Sequence, residues 1–181
     1  MMVKKGSTVE FFNNIYQKLI KDEELLRLLT YLPRGFDEEE NYHPDPLDES
    51  LDNLVPDFNS ATEEEIQRYW KLVDERILLG EKTSDLESKK ICRIYVSEGR
   101  RRPVYNDYLM ATQEVAITIY INEDYDKDIR MSRISDRINE LIALERIAGF
   151  GMLEYQAGNP LVAPKHYRAY QHLFRMSVTK K

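Results

Sequence analysis

The sequence predicts an α+β fold. It is a mostly antiparallel sheet, built from a β-hairpin with a long tip and two closing strands, covered by helices on one side. Three stretches carry that prediction. In residues 113–121, Val115, Ile117, Ile119 and Ile121 alternate with Glu114, Ala116, Thr118 and Tyr120, the two-residue period of a strand buried on one face. From about Ile129 the period changes: Ile134, Ile138, Leu141, Ile142 and Ile147 follow a 3.6-residue stripe, and Arg133, Asp136, Arg137, Asn139, Glu140 and Glu145 lie mostly off it. In residues 166–178, Tyr170, His172, Phe174, Met176 and Val178 share one face of a closing strand, with Tyr167, Ala169, Leu173 and Ser177 on the other. A strand face and a helix face that are both apolar bury each other.

Residues 122–128 supply turn formers and carboxylates just ahead of the central helix, where negative charge suits the exposed N–H groups. Gly149, followed by Gly151, predicts where that helix stops. A short strand over 150–157 and a Gly158-Asn159-Pro160 turn are expected before the closing strand.

At the N-terminus, Ser7-Thr8-Val9-Glu10 reads as a capping box, and Phe11, Phe12, Ile15, Tyr16 and Leu19 form the inward stripe of an extra helix. Lys21-Asp22-Glu23-Glu24 breaks and restarts it, Leu25, Leu26, Leu28 and Leu29 continue the stripe, and Pro33 and Gly35 end it. Between Gly35 and Gln67 there is no Lys or Arg, and Pro44, Pro46 and Pro56 deny regular structure to most of the segment. Residues 36–59 therefore read as a long acidic arm, carrying Asp37, Glu38, Glu39, Glu40, Asp45, Asp48, Glu49 and Asp52. Tyr42, Leu47, Leu51, Leu54, Val55 and Phe58 are spaced through it, which suits a segment draped on a surface, its own or a neighbour's. Its carboxylates lack the glycine and the ligand spacing of a calcium-binding EF-hand loop.

Ser60-Ala61-Thr62-Glu63 reads as a second capping box, opening a helix to about Leu79 with Ile66, Tyr69, Trp70, Val73 and Ile77 on one stripe and Gly80 at its end. Trp70, the one tryptophan, is expected as a core or interface anchor. Residues 91–96 predict a strand that pairs with 110–121 as a hairpin. Its tip holds Arg100, Arg101, Arg102, Tyr105 and Tyr108, compatible with phosphate contact and base stacking, or with clamping an acidic neighbour. The second use weighs more, because this chain itself provides an acidic arm.

A length of 181 residues suits one domain, 1–181, with the arm of 36–59 and the helix of 60–80 inserted in it. No apolar run approaches the roughly 20 residues of a membrane span, so no membrane partner is expected. One cysteine, Cys92, cannot form an internal disulfide; it points to a reducing compartment and reads as a small core residue. The net charge of −6 is unevenly placed: residues 1–88 hold 10 Lys and Arg against 21 Asp and Glu, and residues 89–181 hold 16 against 11. Halves of opposite sign suit head-to-tail contact between copies, or a positive face toward nucleic acid.

No phosphate-binding loop, dinucleotide fingerprint, nucleophile elbow, HExxH motif or paired CxxC is present. His43, His166 and His172 are not placed with a nucleophile, and as strand residues six apart His166 and His172 would sit about 20 Å from each other. The expectation is a protein that is not an enzyme and holds no metal or cofactor.

The order of elements, with residues 114–121, Arg130-Met131-Ser132-Arg133-Ile134-Ser135-Asp136-Arg137-Ile138 and the final 170–178, resembles the tail-terminator and tail-completion proteins of tailed bacteriophages. Arg130, Ile134, Asp136, Arg137 and Ile138 match the family's helix pattern, and the resemblance spans roughly 5–32 and 89–179. The stretch from Phe36 to about Lys82 departs from the small members of that group. The resemblance implies a homo-oligomeric ring, commonly of six copies, at the virion neck, touching tail tube and head-closure proteins and assembled in the host cytoplasm. There the ring stops tail-tube growth and joins tail to head, with packaged DNA as a further contact. A head-closure or adaptor protein of the same neck, and a nucleic-acid-binding module using the basic hairpin, stay open as alternatives.

Overall fold

The computed structural model describes residues 8–37, 39–104, 107–145, 147 and 152–179, side chains of 103, 104, 107–111 and 177–179 excepted. Apolar alternation is realised in two long strands, β4 (Arg93–Val104) and β5 (Asp107–Asn122), paired antiparallel from Arg93↔Tyr120 outward. The hairpin arms run through the expected basic tip, so Arg100, Arg101 and Arg102 lie on a strand rather than in a loop. β5 also pairs with the closing strand β7 (Tyr167–Thr179), and β6 (Glu154–Leu161) forms the edge beyond it. The expected Gly158-Asn159-Pro160 turn is instead strand, with Gly158 opposite His172 and Pro160 opposite Tyr170; an edge strand tolerates both residues.

Helices cover one face. α1 (Thr8–Ile20) buries Phe11, Phe12, Ile15, Leu19 and Ile20, and α2 (Glu23–Thr30) restarts after an Asp22 cap whose side chain accepts from the Leu25 N–H at 2.8 Å. Ser7 lies outside the described residues. Between α2 and the next helix, β1 (Gly35–Phe36) and β2 (Tyr42–His43) make a two-residue hairpin inside the arm. α3 (Glu63–Arg76) opens on a capping box two residues later than expected: Thr62 and Glu65 cap it, because Ser60 is engaged by Asp57. It also ends sooner, and residues expected in its last turn form β3 (Ile77–Leu79), parallel to β4 through Ile77↔Ile94. Trp70 falls off the buried stripe, 40% exposed and edge-on to Tyr69, so it is not a core anchor.

α4 (Arg130–Ile142) buries Ile134, Ile138 and Ile142 against the sheet. It stops well short of Gly149, which lies outside the described residues, because the Leu144 N–H turns away to the Leu153 carbonyl at 2.7 Å. Nor do the carboxylates ahead of α4 cap it: Ile129 is the cap residue, without a side-chain bond. Asp128 serves Arg130 and Arg133 instead.

The five-stranded sheet runs β3-β4-β5-β7-β6. Its main core joins Ile94, Val96, Val115, Ile117, Ile119, Ile121, Phe174 and Met176 to the four helices. A smaller cluster of Leu86, Ile91, Tyr95, Tyr120, Tyr167 and Ala169 covers one end of the opposite face. There Arg93 grips the Asp85 carboxylate at 2.7 and 3.0 Å, which holds that carboxyl down to about 2. Among the described residues no helix is long and apolar enough to cross a membrane.

Candidate functional site

Two charged features of opposite sign lie apart along β5, one by its C-terminal end and one opposite its middle. At its C-terminal end, the arm is fastened to α2 and α4. Arg27, 8% exposed, donates to the Asp48 carbonyl (2.9 Å), the Leu51 carbonyl (2.9 Å) and Asn53 Oδ1 (2.8 Å). Its neighbour Glu23 accepts the Leu54 and Val55 N–H groups at 2.9 and 2.7 Å, and Arg27 Nε holds that carboxylate at 2.6 Å. From α4, Arg133 forks onto Asp45 at 2.7 and 3.0 Å and keeps that carboxyl below the usual carboxylate range. Tyr31 Oη adds a bond to the Asp52 carbonyl at 2.9 Å. The arm therefore drapes on its own chain.

What this leaves outward is acidic and aromatic. Asp37 orders the small hairpin, accepting from the Glu39 and Asn41 N–H groups and pairing with His43 Nε2 at 2.9 Å; the His43 bond leads in lowering its carboxyl to about 2. Phe36 and Tyr42, 71% and 53% exposed, meet edge-to-face beside it. Glu39, Glu40, Glu49 and Asp52 are exposed, and Asp48 turns back to the Ser50 N–H. Glu38 lies outside the described residues.

Opposite the middle of β5, at Thr112 and Gln113 and about 30 Å from its C-terminal end by ordinary strand rise, the exposed Arg100, Arg101 and Arg102 line β4. A one-residue bulge separates Glu98↔Val115 from Arg101↔Gln113, and a bulge increases local twist, while β5 itself stays paired with β7 out to Met110↔Thr179. Gly99 is required there: a Cβ would stand 2.7 Å from Glu114 Cβ. Tyr105 lies outside the described residues, and Tyr108 belongs to β5 with its side chain outside the description.

The residues of the helix pattern prove to be structural ties. Arg130 is fully buried, bonding Asp128 and the carbonyls of Leu28 and Tyr31. Arg137 binds Asp22 at 2.6 and 2.9 Å, Ile134 and Ile138 are core, and Asp136 is exposed.

The grip of Glu23 and Arg27 on the arm was not foreseen, and α2 offers only an ordinary i,i+4 pair as its signal. Nor was the contact of His172 Nε2 with Ser135 Oγ at 2.9 Å, with Tyr155 Oη 3.3 Å from Nδ1. Among the described residues no carboxylate meets Nδ1, so the arrangement there satisfies a buried histidine rather than activating a serine. His166 lies outside β7, in a turn with φ 65°, and pairs with Glu123 at 2.6 Å, so the two histidines do not share a strand face. Among the described residues no group of three or more His, Cys, Asp or Glu side chains is set to hold a metal ion. The arrangement offers charge-paired and aromatic contact with a macromolecule.

An α+β fold whose five-stranded sheet carries a latched acidic arm and a basic ribbon thus defines the class. The chain belongs to the YomW family, whose profile matches residues 22–176. It is similar to the SPbeta prophage-derived uncharacterized protein YomW of Bacillus subtilis (strain 168), 28% identical over 181 residues, covering 96% of this chain and 98% of that protein. Among solved structures it is similar to a chain of the virion of a native gene transfer agent particle, with a TM-score of 0.47, 13% identity and coverage of 94% of this chain and 96% of that one.

Proposed function

We propose that this protein is a structural component of a phage-derived particle, a homo-oligomeric neck ring that terminates the tail tube and joins tail to head, without catalytic activity. The observation that carries the reading is the separation along β5 of an acidic aromatic surface, by its C-terminal end, from a basic ribbon opposite Thr112 and Gln113. Contact between unlike surfaces is head-to-tail, and such a contact generates a ring when its rotation closes. Two further supports are the prophage origin of a relative matched along nearly its whole length, and the sequence resemblance to tail-terminator and tail-completion proteins.

Reversing Arg100, Arg101 and Arg102 to glutamate tests it, because all three side chains are exposed and their replacement spares the core. The expected outcome is an unchanged circular dichroism spectrum, loss of a salt-sensitive oligomer in light scattering, and poor incorporation into particles. Normal incorporation of the triple variant would defeat the reading. DNA binding with a steep salt dependence, abolished by the same change, would favour the nucleic-acid alternative.

A further inference from the structure

The basic ribbon and the acidic tip of the arm differ in more than sign. Every cation between Ile91 and Asp126 is an arginine, and of these Arg100, Arg101 and Arg102 are exposed and form no ion pair among the described residues. A guanidinium is planar and more weakly hydrated than an ammonium, so it stacks on aromatic faces as well as pairing with carboxylates. Across from it in chemistry stands a pair of rings. Phe36 and Tyr42 face each other in the β1–β2 register, 71% and 53% exposed, with centroids 5.4 Å apart. Rings this exposed gain little from folding.

The tip that carries the rings is ordered from within. Asp37 Oδ1 accepts the Glu39 and Asn41 N–H groups at 2.9 Å each, Oδ2 pairs with His43 Nε2 at 2.9 Å, and Glu40 turns the chain with φ 62°. The Asp37 carboxylate is thus occupied inside the hairpin, and Glu39 and Glu40 are its exposed carboxylates among the described residues. Behind the hairpin lies a cleft of about 340 Å³, lined by Arg34, Lys90 and Lys127 as well as Phe36 and Glu39. Those cations close it to a further guanidinium. The side open to one is that of Tyr42 and Glu40, which do not line the cleft.

We propose, resting on the head-to-tail reading above, that the Phe36–Tyr42 tip is a seat for arginine side chains, and that Arg100, Arg101 and Arg102 of a second copy engage it by stacking on the rings, with Glu39 and Glu40 as lesser partners. A second copy supplies them because the ribbon stands about 30 Å along β5 from the end where its own arm is fastened, farther than an arginine side chain extends. Exposed ion pairs contribute little and are screened by salt. A guanidinium held against a ring gains as water leaves the contact, and Arg and Tyr are among the residue types that dominate binding at interfaces. A ring pair already set in its hairpin loses little freedom on binding.

Replacing all three arginines by lysine tests the seat, because R100K/R101K/R102K keeps the charge on which the head-to-tail reading depends and removes the planar group. In a light-scattering dilution series on the full chain, the lysine variant should dissociate at a concentration about tenfold higher than the wild type, or more. Phe36→Leu with Tyr42→Leu keeps apolar bulk and removes the rings; it should have the same effect, with unchanged circular dichroism and unchanged proteolysis of the arm. Glu39→Gln with Glu40→Gln should shift the midpoint about threefold or less. A lysine ribbon that assembles as the wild type does would overturn the seat and leave the charge pairing standing. Loss of assembly in E39Q/E40Q, with F36L/Y42L unaffected, would overturn it equally. A wild type that is monomeric at every concentration would overturn the head-to-tail reading and the seat with it.

Discussion

Nη2 of Arg27 and Oδ1 of Asn53 lie 2.8 Å apart, across 26 residues of chain, and their contact belongs to the latch that holds the acidic arm. A proline-interrupted segment without Lys or Arg has little means of ordering itself. Here one buried guanidinium on α2 takes two backbone carbonyls and one side-chain oxygen of the arm, and the adjacent Glu23 takes two of its N–H groups. The arm's polar backbone is thereby satisfied from a helix that is itself core.

Arg27→Ala should release the arm without unfolding the sheet. Hydrogen bonds to a charged group contribute about 1.5–3 kcal/mol, and the loss of several leaves arm carbonyls unpaired, so a stability loss of about 2–3 kcal/mol is expected. Limited proteolysis should then cut within residues 36–59 at least tenfold faster than in the wild type. Equal cleavage rates would mean that Arg133 and Tyr31 hold the arm without Arg27.

Arg130→Leu removes a guanidinium that is 0% exposed while leaving Asp128 beneath it. Breaking a buried pair by deleting one partner costs about 3–5 kcal/mol; here Arg133 still holds Asp128 at 2.9 Å, so the loss sits at the lower end of that range and comes chiefly from the Leu28 and Tyr31 carbonyls left without their donor. The urea midpoint should fall accordingly, and Arg130→Lys should recover only part of it, since an ammonium cannot span Asp128 and the Leu28 and Tyr31 carbonyls as the planar fork does. A midpoint within error of wild type would show that the site relaxes around the loss.

Burial pushes the Cys92 thiol up to about 12, which suppresses the thiolate that reacts with disulfide reagents. Native protein at neutral pH should therefore react with such a reagent at least a hundredfold more slowly than protein in denaturant. Comparable rates in both would place Cys92 at the surface.

What the sequence discloses of this fold follows from how local the determining physics is. The alternation around Ile117 and the stripe of Ile134 and Ile138 each bury one face of one element, so period alone reveals them. The capping box was ambiguous, since Ser60 and Thr62 each precede a glutamate by three residues; Asp57 decides by occupying Ser60. β3 was hidden because Ile77 continues the α3 stripe and becomes strand only through pairing with Ile94, 17 residues later. Gly158 and Pro160 announce a turn in sequence, and only their position at a sheet edge makes them strand. As for the candidate site, the charges of arm and ribbon were legible as composition. Their separation along β5, and the latch of Glu23 and Arg27, depend on tertiary contacts that composition does not encode.

His172 offers a test of the core by pH. It is 3% exposed on β7, bonded to Ser135 and close to Tyr155, and burial lowers its pKa below the ordinary 6.5, with Asp136 opposing more weakly. A base whose folded pKa is depressed binds its proton more readily in the unfolded chain, so its contribution to stability is complete above about pH 6.5. As pH falls below that value toward the folded pKa, stability should decline with a limiting slope of about 1.4 kcal/mol per pH unit from this one group. His172→Gln keeps a polar partner for Ser135 and removes the titration; the variant should be less stable at pH 7.5 and flatter between pH 6.5 and 5. His43 and His166 remain in both proteins, so the difference between the two urea-denaturation profiles belongs to His172. Parallel profiles over that interval would mean that water or Asp136 reaches the imidazolium and that its burial does not govern the acid limit of the fold.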